Sequence, residues 1–154
     1  MERRVIIILG PTCSGKTSLS LLLAKLLSTE IISADSRQIY RYLNIGTAKP
    51  SIEDLKKIPH HFVNTLDPGK EFNVSKFENQ ALSEIETLHI KGKIPIVVGG
   101  SGLYIKAIVD GIFNEVDTDQ GYREQLLGEK NKFGNEFIYN KLTIRIDIII
   151  YFIF

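Results

Sequence analysis

The chain has 154 residues, 44% of them hydrophobic and 24% charged, with a formal net charge of +1. This composition suits one globular domain with a sizeable core and excludes a disordered chain. The near-neutral charge gives no global argument for nucleic acid and leaves only a local basic groove, while a single cysteine, Cys13, excludes an internal disulfide and suits a reducing cytoplasm.

The opening apolar run, Val5-Ile6-Ile7-Ile8-Leu9, reads as a short buried strand. Met1 to Gly10 superficially resembles a signal peptide, but the run is too short and leads straight into a glycine loop. No stretch is long enough to span a bilayer. The loop is Gly10-Pro11-Thr12-Cys13-Ser14-Gly15-Lys16-Thr17, with the G-x-x-x-x-G-K-[ST] spacing of a phosphate-binding P-loop. Its N–H groups are expected to form an anion nest, reinforced by the N-terminus of a Leu-rich helix starting near Lys16. Lys16 would meet the terminal phosphates, and the Thr17 hydroxyl can hold magnesium. Cys13 reads as a small filler rather than a nucleophile, since no base is paired with it. A diphosphate or triphosphate is the expected ligand; the loop alone does not say whether a phosphoryl group moves.

A second strand is expected at Glu30-Ile31-Ile32-Ser33, ending in Ala34-Asp35-Ser36-Arg37-Gln38. Polar residues just past a strand are where open α/β sheets bind ligands. Asp35 is therefore either a general base or magnesium-organising carboxylate, or the cap of a short helix containing Ile39 and Tyr40. Arg37 is either a phosphate clamp or a solvated charge. Gly46 to Pro50 reads as a loop, and Ser51 to Ile58 as a short amphipathic helix stopped by Pro59. His60 and His61 have no further Cys or His ligands near them, which argues against zinc. Phe62 to Leu66 reads as a strand.

Ser75-Lys76-Phe77-Glu78 has the spacing of a capping box. It should open a long helix with Phe77, Ala81, Ile85 and Leu88 on one face, ended by Gly92. A strand at Ile94 to Val98 then enters Gly99-Gly100-Ser101-Gly102 and a helix carrying Leu103, Ile105, Ala107 and Ile108. That glycine turn is either a ligand contact or a tight connection. A further helix is expected from Gln120 to Lys130. The end, Ile144 to Phe154, is apolar and β-prone: a possible strand and an aggregation-prone segment. Strands alternating with helices imply α/β architecture, a three-layer fold of P-loop type with a mostly parallel sheet and its ligand site at the strands' C-terminal ends.

Taken together, Gly10 to Thr17, Ser33 to Tyr40, Asn44 to Pro50, Pro59-His60-His61 with Asp67-Pro68, and Val97 to Tyr104 resemble the N-terminal half of the tRNA dimethylallyltransferase (tRNA isopentenyltransferase) family. The resemblance runs from about Val5 to Leu142. It implies transfer of a dimethylallyl group from dimethylallyl diphosphate to the exocyclic amine of adenosine 37 in tRNA. The P-loop then needs no ATP, because the bound diphosphate is the leaving group. Gly10, Pro11, Thr12, Cys13, Ser14, Gly15, Lys16 and Thr17 would cradle it, with Thr17 sharing Mg2+. Asp35 matches the family's general base. Asp35, Ser36, Arg37 and Gln38 would contact the target nucleotide, and Ser101 (commonly Thr in the family) and Arg123 match tRNA-contacting positions. The adenosine would be flipped out of its stack to react. The resemblance also implies a monomeric, cytoplasmic tRNA-modifying enzyme.

The family's members are much longer. Residues 1–142 therefore read as an incomplete P-loop transferase domain and 143–154 as a divergent apolar tail, as in a truncated or frameshifted product. Two other readings stay open: a small nucleotide or metabolite kinase, and an inactive fragment that still binds diphosphate. No arginine-rich lid supports the kinase.

Overall fold

The structure of the protein, a computed structural model, describes residues 3–111 and 120–146. The chain divides into two compact units, Met1–Asn114 and Glu115–Phe154. Among the described residues no helix is long and apolar enough to cross a membrane.

The first unit holds strands β1 (Ile6–Leu9), β2 (Ile31–Ser33), β3 (His60–His61) and β4 (Ile96–Gly99), with helices α1 (Lys16–Leu26), α2 (Ile52–Lys57), α3 (Val74–Ile90) and α4 (Gly102–Asp110) between and after them. The four strands form one sheet in the order β1-β4-β2-β3, and every pairing is parallel. Successive strand residues point to opposite faces. Ile31 and Ile96 therefore pack with Ala24 of α1 on one face, while Ile32 and Val97 pack with Phe77 and Ala81 of α3 and Ile105 of α4 on the other. This is the α/β class expected, with helices covering both faces of a parallel sheet. Phe77 is the hub of the second layer, stacked on Tyr104 at 4.2 Å between ring centroids and meeting Phe62 edge-on at 5.3 Å.

Several expected boundaries moved. The strand expected over Phe62 to Leu66 is replaced by the two residues of β3. Phe62 and Asn64 have φ of 61° and 56°, which no strand tolerates, and Leu66 rejoins the sheet direction only as an isolated bridge to Tyr40. No helix forms at Ile39 and Tyr40; that segment is a turn ending in the same bridge. The capping box is not used: Asn73 caps α3, its side chain accepting from the Lys76 N–H at 2.8 Å, and Ser75 is buried inside the helix. The expected apolar face of α3 is otherwise as read, with Phe77, Ala81, Ile85 and Leu88 all buried. In α4, Leu103 is exposed and Tyr104 takes the core position.

The second unit's described residues form α5 (Gln120–Ile146), interrupted at Gly134, where φ is 84°. Helix thus continues well beyond Lys130, and Ile144 to Ile146 are helical rather than strand. Extending an existing helix adds one hydrogen bond per residue, which outweighs the small β-branched penalty. The rest of the expected apolar tail, 147–154, lies outside the described residues.

Candidate active site

The site is built where β1, β2 and β4 end. β1 runs into Gly10, and the loop turns through Cys13 and Gly15, both at positive φ (64° and 82°). Gly15 is the residue before α1 and takes the left-handed conformation that glycine adopts at least cost. No side chain caps this helix end, and no acidic residue lies in its first turn. Its free N–H groups and positive dipole end therefore remain available to an anion. The Lys16 ammonium donates to the Pro11 carbonyl and lies 3.5 Å from the Ser14 hydroxyl.

β2 leads into Asp35, which caps no helix, since none forms at Ile39 and Tyr40, and instead closes a turn. Its Oδ1 accepts from the N–H groups of Arg37 at 2.9 Å and Gln38 at 3.2 Å. This Asx turn holds the carboxylate at a fixed place, and it uses one oxygen only. Gln38 is a tether. Its Oε1 accepts from the Ser33 hydroxyl at 3.0 Å, and its Nε2 donates to the carbonyls of Thr47 and Ala48, each at 3.1 Å. The Gly46–Pro50 loop is thereby pinned beside the site.

The glycine turn after β4 has a structural cause. A Cβ on Gly99 would lie 2.0 Å from the Ala34 carbonyl oxygen, so only glycine lets β4 close on β2 here. Two bonds staple the turns: the Ser101 N–H donates to Ala34 O at 3.2 Å, and the Ser101 hydroxyl accepts from the Ser36 N–H at 3.1 Å.

Together these loops enclose a cavity of about 510 Å³, lined by Thr12 to Thr17, Asp35 to Gln38, Gly46 to Ala48 and Gly99 to Ser101, with His60 and Pro50 at its wall. That volume suits a small-molecule ligand. The structure thus brings together the phosphate loop, Asp35, Ser36, Arg37, Gln38 and Ser101. Gly10 and Pro11 begin the same loop without lining the cavity. Arg123 sits exposed on α5, in the other unit. Burial pushes His60 below the usual imidazole range, outweighing the Ile58 carbonyl and Asp54, so it stands neutral at pH 7. Burial, then the charges of Tyr40 and Asp35, raises the Tyr104 hydroxyl and keeps it protonated.

Sequence reading missed the anchoring role of Lys49. Its ammonium donates to the Tyr40 carbonyl at 2.6 Å and to the side chains of Asn64 at 2.7 Å and Asn44 at 3.2 Å. Desolvation lowers its pKa. A lone lysine in a loop carries no signal of this; its partners lie up to 15 residues away. His61 is engaged elsewhere, with Glu30 at 3.0 Å.

A family model described as IPP transferase matches residues 38–149. The tRNA dimethylallyltransferases of Alkaliphilus oremlandii and Finegoldia magna are 48% and 47% identical over 143 residues, covering 92% of this chain and 46% of each relative. The chain therefore spans a little under half the length of the curated relatives it matches. Among solved structures, a full-length tRNA isopentenylpyrophosphate transferase from Bacillus halodurans superposes with a TM-score of 0.70 at 38% identity, covering 95% of this chain and 48% of that one. A eukaryotic dimethylallyltransferase described as acting on tRNA gives 0.67 at 39% identity, covering 77% and 29%.

Proposed function

The chain belongs to the IPP transferase family, and on that footing we propose that its first unit carries out dimethylallyl transfer from dimethylallyl diphosphate to the exocyclic amine of adenosine 37 in tRNA. The observation that carries this reading is one cavity lined by both an anion cradle and a fixed carboxylate, Thr12 to Thr17 together with Asp35. A diphosphate needs the first, and an amine that must lose a proton as it attacks needs the second.

The donor's diphosphate lies in the nest, displacing Lys16 from the Pro11 carbonyl so that its ammonium meets the phosphate oxygens. The amine nitrogen attacks the allylic carbon, the carbon–oxygen bond to diphosphate breaks, and the amine proton passes to the Asp35 oxygen not engaged by the turn. The nest and Lys16 carry the charge that develops on the leaving diphosphate. Ser36, Arg37, Gln38 and Ser101 line the side of the cavity that the adenosine enters, and Arg123 is a further RNA contact.

The donor set fits magnesium. Thr17 offers one exposed hydroxyl at the start of α1, and among the described residues no group of three His, Cys, Asp or Glu gathers to hold a metal. Magnesium at phosphate sites takes few protein ligands and leaves the rest to substrate oxygens and water. When bound it supplies positive charge to the departing diphosphate.

Calorimetric titration with dimethylallyl diphosphate tests the donor site. Wild type should bind it, and Lys16→Ala should lose at least ~100-fold in affinity, since a charge-assisted contact to phosphate is worth about 3 kcal/mol. Unchanged affinity in Lys16→Ala refutes the site. ATP turnover without prenyl transfer would return the assignment to a kinase.

A further inference from the structure

We propose that a second cavity, at the end of the sheet opposite the candidate active site, binds a small organic carboxylate with an apolar body. This site is independent of the diphosphate reading.

The cavity measures about 660 Å³, within the range of small-molecule sites. It lies beside the last turns of α1 and α2, among residues that stand ahead of the strands: Glu30 before β2, Pro59 before β3 and Lys93 before β4. The phosphate loop and Asp35 follow β1 and β2 instead, and the two cavities share no lining residue.

Its wall is of two kinds. Leu21, Leu22, Ala24, Ile58 and Pro59 supply apolar surface. Lys25, Lys57 and Lys93 line it together with Glu30 and Asp54, which leaves one surplus positive charge. The two carboxylates are already engaged. Glu30 accepts from Lys93 at 2.8 Å and lies 3.0 Å from the His61 ring nitrogen, and Asp54 accepts from the Ser51 hydroxyl at 2.6 Å. Lys25 and Lys57 are not: among the described residues neither ammonium has a carboxylate within ion-pair distance. Their charge can therefore meet a ligand anion. One surplus charge matches a carboxylate, whereas a phosphate ester carries nearly two negative charges.

A second observation marks the same wall. Thr29 lines the cavity and is 5% exposed, and its Oγ1 is the one buried side-chain N or O atom among the described residues with no hydrogen-bond partner. Buried hydroxyls are nearly always satisfied, and turning this one toward a ligand would break no hydrogen bond. Beside it Ser28 holds φ at 49°, where a helix end usually carries glycine, and so keeps another hydroxyl at the cavity. Ammonium and hydroxyl donors over an apolar floor are what a carboxylate on an apolar chain requires.

The test titrates octanoate into the 15N-labelled chain, with excess inorganic pyrophosphate present to occupy the phosphate loop, and follows amide chemical shifts. The amides of Lys25, Ser28, Thr29 and Ile58 should shift together and saturate, while those of Gly15 and Lys16 stay still. Acetate and octanol, which offer the charge or the chain alone, should each bind at least about tenfold more weakly. The double variant Lys25→Gln/Lys57→Gln should weaken octanoate by about tenfold or more and leave octanol unaffected. Both lysines are exposed, so its melting temperature and pyrophosphate affinity should match wild type. Thr29→Val keeps the shape and removes the hydroxyl, so it should weaken octanoate several-fold without lowering the melting temperature. No saturable shift at the four amides, octanol binding as tightly as octanoate, or octanoate affinity indifferent to the lysine substitutions overturns the proposal.

Discussion

Gly99→Ala and Gly100→Ala should behave in opposite ways, although the residues are adjacent. An alanine Cβ at position 99 would sit 2.0 Å from the Ala34 carbonyl oxygen, 2.4 Å from its carbon and 2.9 Å from its Cα. All three are backbone atoms, so no side chain can swing aside. Carbon and oxygen come to rest at about 3.3 Å at closest, so β2 and β4 must separate locally by more than about 1 Å. That opening crosses the Ala34 N–H to Val98 O bond at 2.8 Å and the Ser101 N–H to Ala34 O bond at 3.2 Å. Overpacking costs about 1–3 kcal/mol and each weakened bond about 1, giving about 3–5 kcal/mol of a total stability of about 5–15. At Gly100 the nearest atom to an added Cβ is the Gly10 carbonyl oxygen at 3.8 Å, an ordinary contact, and the cost should stay within about 0.5 kcal/mol. Urea unfolding of both variants, followed by far-UV circular dichroism, measures the difference. Equal midpoints would refute the close approach of β4 to Ala34 and, with it, the stapling of the Asp35 turn to the Ser101 turn.

Two further outcomes follow from the same contacts. Glu30 is held below the usual glutamate range, first by its bond to Lys93 at 2.8 Å and also by His61, against the opposing effect of burial. A depressed folded pKa stabilises the fold above the unfolded pKa, and that contribution fades as pH falls through the folded value. Glu30→Gln should therefore lose about 1 kcal/mol at pH 7, with the gap to wild type narrowing as pH falls below the usual glutamate range; a gap that widens in acid would contradict the assignment. Gln38→Ala removes both donors to the Thr47 and Ala48 carbonyls, so limited proteolysis should nick the 43–50 loop several-fold faster while the melting temperature barely moves. Unchanged cleavage would mean the tether does not hold the loop.

What was legible in the sequence was local. The loop from Gly10 to Thr17 needs nothing beyond its own spacing, and the apolar face of α3 needs only its helical period. Contacts across long separations were not legible. Gly99 reads as one glycine of several, and the atom that requires it, the Ala34 carbonyl, lies just past β2, 65 residues earlier. Asp35 could be read from position alone as base or cap; it caps no helix, and its Oδ1 instead closes a turn with the N–H groups of Arg37 and Gln38. The strand expected at Phe62 failed because apolar, β-prone composition does not report the left-handed φ of Phe62 and Asn64. Asn73 rather than Ser75 caps α3, and Ser75 lies buried in its first turn. Arg123, matched only through the family resemblance, lies on a helix of the second unit.

The most direct test of the account is single-turnover transfer from labelled dimethylallyl diphosphate to an anticodon stem-loop bearing adenosine 37, comparing wild type with Asp35→Asn in the presence of magnesium. Asparagine keeps an oxygen to accept from Arg37 and Gln38, so the turn survives and only the basic carboxylate is lost. The account predicts label on the exocyclic amine with wild type, and equal donor affinity but at least ~100-fold slower transfer with Asp35→Asn. Undiminished transfer by the variant, or unlabelled RNA from wild type that binds the donor, would contradict it.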